Sequence, residues 1–224
     1  MNAQFLAIAQ DRSIIPGVHH HCDEWCDYCP VAARCLAFRC TAAFRRQHRR
    51  RDADPTFASM EEAIGFTREL AALDGSSTEE LDTLLAKPGG GSGLETADPL
   101  ASVAWEYAVG AAFLFTASSM SHLGKGRHAA TPAPEEVVLW HHLRIYMKLV
   151  RALVSRSVED ANGCAKLVLV SAEKSRSALI AVREAGREAV DPLIVTLEDL
   201  ERGIETRFPM AREYVRAGLD CPVS

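Results

Sequence analysis

The segment "EEVVLWHHLRIYMKLVRALV", residues 135–154, decides the fold class. Leu139, Leu143, Tyr146, Val150 and Leu153 recur at alternating steps of four and three, which lays one apolar seam along a helix of 3.6 residues per turn. His141, Arg144, Lys148 and Arg151 form a second stripe at the same spacing. Long charged side chains are seldom buried, so this stripe is expected to face solvent. Turned inward, it would need carboxylate partners such as Glu106 or Glu173 and would line a polar pocket.

The segments on either side read the same way. Downstream, "SVEDANG" suggests a break near Asn162-Gly163. Ala165, Val168, Ala172, Leu179 and Val182 then form a seam of small and branched residues, and Val190, Leu193, Leu197, Leu200, Ile204 and Phe208 mark a further helix ending at Phe208-Pro209. "MAREYVRAGLD" would add a last turn or short helix. Upstream, an acidic first turn and Gly75 bound a helix over 57–73, and "SSTEELDTLLAK" runs into the glycine-rich connection 88–93. The apolar stretch 99–121 approaches membrane-spanning length. Glu106 and several Ser and Thr interrupt it, so a buried core helix is expected rather than a membrane span. A second loop is expected over 123–134. No stretch shows the two-residue alternation of a half-buried strand. The expected fold is therefore all-α: a helical bundle of four to five long helices over residues 53–224, carrying an irregular Cys-rich metal-binding segment over 1–52.

Composition agrees with a globular chain: 48% of the 224 residues are hydrophobic and 25% charged. The first ten residues lack a basic region and a cleavage site, so no secretory signal is expected and the location is read as cytoplasmic. Cysteines are kept reduced there, which argues against a disulfide framework. The net charge of −5 is unevenly spread, because residues 1–52 hold eight Arg against five Asp and Glu. Most of that positive charge lies in "RCLAFRCTAAFRRQHRRR", residues 34–51. No aromatic interleaving or nucleic-acid motif accompanies the run, so it reads as a solvated helix face and nucleic acid is not the expected partner.

Chemistry concentrates in "GVHHHCDEWCDYCPVAARCLAFRC", residues 17–40, which holds five of the seven cysteines. Cys22, Cys26, Cys29 and Cys35 give C-x3-C-x2-C-x5-C. Four soft thiolates in fourteen residues can close on one centre without long-range folding, and softness selects zinc or iron–sulfur over hard cations. Structural zinc sites favour two short paired knuckles, whereas only Cys26 and Cys29 form one here. The irregular close spacing and the Cys29-Pro30 step suit a 4Fe-4S cluster better. His19, His20 and His21 could add a ligand, and Cys40 could substitute for one. Cys164 and Cys221 read as ordinary buried or terminal thiols.

"CDYCPVAARC", Cys26 to Cys35, is similar to the C-x2-C-x5-C triad of the iron–sulfur-bearing CRISPR-associated and RecB-type nucleases, where a distant fourth cysteine completes a 4Fe-4S centre. The resemblance implies a cluster only, because no PD…(D/E)xK nuclease signature accompanies it. The Cys22–Cys29 part also matches radical S-adenosylmethionine spacing, but those enzymes need an α/β barrel for which this chain has neither strands nor length. More widely, "CDEWCDYCPVAARC", "EDANGCAKLVLVSAEKS" (159–175) and "FPMAREYVRAGLD" (208–220) together resemble a group of bacterial proteins with an N-terminal CDxWCxxCPxxxRC motif and a helical C-terminal region. That resemblance brings no established activity.

The bundle itself offers less. A carboxylate-bridged di-iron site needs Glu-x-x-His on two helices, and none occurs here; Glu106 and Glu136 are the carboxylates in apolar surroundings. No nucleophile–base pair or phosphate-binding glycine loop is present. The leading expectation is a 4Fe-4S protein with a redox, electron-transfer or sensing role and a redox partner protein. The alternatives are a zinc-stabilised interaction or regulatory module, and a helical-bundle enzyme using Glu106 or the 141–151 stripe.

Overall fold

A computed structural model describes residues 2–49, 56–75, 78, 98–119 and 131–220. Regular structure among them is helical throughout: α1 (Ala3–Ala9), α2 (Leu36–Gln47), α3 (Met60–Asp74), α4 (Pro99–Ser119), α5 (Pro134–Val154), α6 (Val158–Glu184) and α7 (Asp191–Arg207). The expected helix over 77–87, the glycine-rich connection 88–93 and most of the 123–134 loop lie outside the described residues. The chain forms two compact units, Met1–Ser92 with Arg216–Ser224, and Gly93–Val215.

In the Gly93–Val215 unit, α4 packs on α5 and α7, α5 on α6, and α6 on α7. One hydrophobic cluster fills the middle, with Tyr107, Phe115, Ile145, Leu149, Leu169, Leu179, Leu197 and Ile204 among its members. The α4–α7 approach is close because Gly110 faces Leu193 and Gly203 faces Leu100: a Cβ at Gly110 would come within 2.8 Å of Leu193 Cδ2. No described helix is long and apolar enough to cross a membrane.

Three local expectations need correction. The buried residues of α5 are Val138, His141, Ile145, Leu149, Val150 and Ala152; of the expected seam Val150 is buried and Leu139, Tyr146 and Leu153 pack on the core, whereas Leu143 is exposed. Because α5 packs against two neighbours, its buried arc is wider than one seam and centres beside the residues that the sequence pattern selects. The 162–163 break does not occur. The chain turns at 155–157 instead, where the Ser157 side chain accepts from the Asp160 N–H and caps α6, which then runs straight through Asn162 and Gly163. Finally, α4 is only half a core helix. Ala104, Tyr107, Ala111 and Phe115 face inward, while Trp105, Val109 and Phe113 are exposed.

The Met1–Ser92 unit contains a smaller aromatic core in which Phe5, Phe44 and Phe66 meet, with Phe5–Phe66 and Phe44–Phe66 ring centroids 5.7 and 5.3 Å apart. The Arg-rich run is largely helix α2. Leu36, Cys40, Ala43 and Phe44 recur at helical spacing and are buried, while Arg39 and Arg45 reach outward to Asp11 and Thr56. Between α1 and α2, residues 10–35 hold only short single-turn pieces at Cys26–Tyr28 and Ala32–Arg34. Long-range bonds pin this segment: Ile15 N–H donates to Arg34 C=O at 2.9 Å, and Arg39 Nη1 donates to Asp11 Oδ2 at 2.7 Å.

Asp11 accepts from the Ser13 N–H and from Arg39, which hold its carboxyl at about 2 instead of 3.8. A carboxylate with a depressed folded-state pKa contributes stability that is complete above the unfolded value and is lost as pH falls toward the folded one. Asp11→Asn should therefore lower the denaturant midpoint of this unit at pH 7. The deficit should shrink below about pH 4 and vanish near pH 2. An unchanged midpoint at pH 7 would show that the Asp11–Arg39 pair does not tie the loop down.

Candidate metal centre

The four cysteines of the C-x3-C-x2-C-x5-C motif come together. Cys22, Cys26, Cys29 and Cys35 line one hollow, whose other walls include Val18, Trp25, Val31, Ala32 and Leu219. The hollow measures about 20 Å³, more than the roughly 10–15 Å³ that a single water needs. Among the described residues, no three of the four sulfurs are drawn within 4.8 Å of one another.

Local backbone chemistry delivers each sulfur. Asp23 Oδ1 accepts from the Trp25 N–H, and Glu24 takes a left-handed conformation (φ 56°), so the chain reverses direction between Cys22 and Cys26. The single-turn bonds Cys29 N–H to Cys26 C=O and Ala32 N–H to Cys29 C=O then curl Cys26 and Cys29 onto one side. Cys35 is the residue just before α2, in extended conformation and with no capping hydrogen bond from its side chain. Trp25 is buried against Tyr28, with ring centroids 4.8 Å apart, and closes one wall.

The opposite wall comes from the far end of the sequence. Gly218 has φ +70°, and a Cβ there would lie 2.8 Å from Ile15 Cδ1. Arg216 clasps Asp220 across this turn, with its Nη2 donating to Asp220 Oδ1 at 2.6 Å, and Leu219 is thereby placed on the hollow. Sequence reasoning expected a turn or short helix in 210–220 but gave it no part in the site. Only the Gly between Ala217 and Leu219, a residue able to take φ above zero, hinted at a special turn.

Electrostatics describe a site built for thiolates but hostile to bare ones. Burial pushes the Cys22 thiol up to about 11. Burial, reinforced by the neighbouring Cys22, Cys35 and Cys29, takes Cys26 up to about 12. Cys35 is raised by burial too, against the opposing pull of the Phe38 and Ala37 N–H groups. Four like charges in one hollow cannot coexist without a cation among them, so metal uptake there displaces protons. The residues fit such a group: soft donors in a hollow whose other walls are mostly apolar, with Asp23 and Glu24 beside them.

The other expected residues distribute differently. Cys40 is wholly buried in the aromatic core with Phe5 and Phe44 and does not line the hollow. Cys164 is buried in the other unit, and the six described cysteines are free thiols. His19 lies beside the centre through its backbone, since the Cys22 thiol donates to His19 C=O at 3.5 Å. Its imidazole turns to Asp74 instead; burial, then His20, lower its pKa against the opposing pull of Asp74. In the helical unit the polar stripe splits. His141 is fully buried, contrary to the expected solvent face, whereas Arg151 is exposed and bonded to Asp160 at 2.9 Å, and Arg144 stacks 4.1 Å over Trp140. Glu106 and Glu136 are both exposed, so neither lines the interior as the apolar surroundings in the sequence suggested.

Comparison with protein-family models, curated proteins and solved structures finds no match. The class of the molecule thus rests on its own features: wholly helical regular structure among the described residues, and four cysteines lining one hollow.

Replacing Cys26 or Cys35 with Ser should cut metal retained per chain at least about tenfold, because one thiolate of the set is lost. Cys40→Ala should leave metal content unchanged while lowering stability. Metal analysis of the anaerobically purified variants separates these outcomes, and equal losses in Cys40→Ala would point to general unfolding. Gly218→Ala should destabilise the site by about 1 kcal/mol or more, since it adds strain at positive φ as well as a clash with Ile15.

Proposed function

We propose that this protein binds one iron–sulfur cluster of the 4Fe-4S type through Cys22, Cys26, Cys29 and Cys35, and that it serves a redox, electron-transfer or sensing role. The observation that carries the reading is the hollow lined by those four thiols and otherwise largely by apolar side chains. A cubane presents four separate corners to four thiolates, and the irregular close spacing of these cysteines suits it better than the paired knuckles of a structural zinc site. The resemblance of Cys26 to Cys35 to the cluster-binding triad of iron–sulfur nucleases, and the Cys29-Pro30 step, point the same way.

The chain's own residues would set how such a group behaves. The group itself supplies one-electron chemistry. Val18, Val31 and Leu219 keep water from one side, which disfavours extra charge on the bound group. The positive end of α2, which begins directly after Cys35, opposes that effect. Exposed Glu24 and Asp27 lie on the turns that present the site, where a redox partner protein with a basic surface would dock. In this reading the Gly93–Val215 helices form a bundle that acts as scaffold, and the cytoplasm is the compartment that keeps the thiols reduced.

Anaerobically purified protein should be brown, with broad visible absorption that bleaches on chemical reduction and returns on oxidation. Iron and acid-labile sulfide should each approach about four per chain. A colourless protein holding a single zinc ion would replace this reading with a zinc-stabilised interaction or regulatory module.

A further inference from the structure

His19 and His20, the histidines that precede the first cysteine, converge on Asp74, the last residue of α3. His19 Nε2 lies 2.9 Å and His20 Nε2 3.0 Å from the same carboxylate oxygen, Asp74 Oδ2. The imidazole rings meet edge to face with centroids 4.5 Å apart, and one ligand atom from each residue falls within 4.8 Å of the other two. Helix α3 ends there because Gly75 adopts φ +76°, which fixes Asp74 at the helix terminus. The Asp74 side chain is only 9% exposed, whereas His20 is 41% exposed. One side of the triad is therefore held within the fold, and the other opens to solvent.

We propose that His19, His20 and Asp74 form a second, mononuclear metal site that takes a borderline divalent first-row ion such as zinc, ferrous iron or cobalt. Two imidazoles and one carboxylate are the donor set that such ions accept while keeping open positions for water or an anionic oxygen ligand. Metal bonds of about 2.1 Å at right angles place neighbouring ligand atoms roughly 3.0 Å apart, the spacing that each imidazole already keeps from Asp74. In the metal-free chain the same atoms form hydrogen bonds, with each ring N–H donating to the carboxylate oxygen. Binding replaces those two protons by one ion. The set is harder than four thiolates, so the two centres select different ions. The site uses none of Cys22, Cys26, Cys29 and Cys35, and it stands whether those thiols hold a cluster or zinc.

The probe is cobalt(II), added to full-length protein whose thiol centre is already filled, and followed by calorimetry and visible absorption. One further cobalt per chain should bind, with ligand-field bands of a nitrogen–oxygen site and no thiolate-to-cobalt charge transfer. His20→Ala alters an exposed side chain and leaves the cores untouched. It should weaken cobalt binding at least about tenfold without changing the metal and sulfide of the thiol centre. Asp74→Asn should do the same. Absence of the additional cobalt, or equal binding by wild type and His20→Ala, would overturn the proposal and reduce the triad to a hydrogen-bonded clamp on α3. Charge-transfer bands would also overturn it, by assigning the added cobalt to thiols.

Discussion

Thiols gathered in one hollow, where burial resists the ionisation of Cys22, Cys26 and Cys35, are the constraint on which the N-terminal unit turns. Each thiolate would be poorly solvated in the hollow and would repel the others, which is why the Cys22 and Cys26 thiols stand near 11 and 12. In the proposed reading, this largely apolar lining is the shell around a cation that displaces the thiol protons. On the same reading, a bound metal would reinforce the single-turn bonds that the segment 10–35 already makes, such as Cys29 N–H to Cys26 C=O and Cys35 N–H to Ala32 C=O.

What holds that segment is drawn from elsewhere in the sequence. Ile15 bonds to Arg34, and Asp11 to Arg39 on α2, while the Gly218–Leu219 turn lies against Ile15 and the hollow. Helix α2 follows directly on Cys35, and its apolar face enters the aromatic core through Phe44. The Arg-rich run is thus consistent with a structural role, with its cations on the outer face of a helix whose inner face anchors the site.

The sequence was most informative where chemistry is local. Four cysteines in fourteen residues announce a shared centre, and Gly75 announces the end of α3, because both signals act over a few bonds. The seams of α6 and α7 were legible for the same reason: every residue of the expected α6 seam is buried, and α7 buries Leu193, Leu197, Leu200 and Ile204 at helical spacing. Tertiary choices were not legible. Whether His141 points in or out depends on α5 having neighbours on two sides, and the fate of Asn162-Gly163 depends on the stronger cap at Ser157. The return of Leu219 to the hollow and the pairing of His19 and His20 with Asp74 join residues far apart in the chain. No spacing rule reaches them.

The central claim is that the four thiols hold a cluster rather than a single ion. Native mass spectrometry of the anaerobically isolated full chain tests it most directly. The account predicts one bound species whose added mass is that of four irons and four sulfides, lost as a unit when Cys26 is replaced by Ser. A species carrying one zinc ion and no sulfide would contradict it.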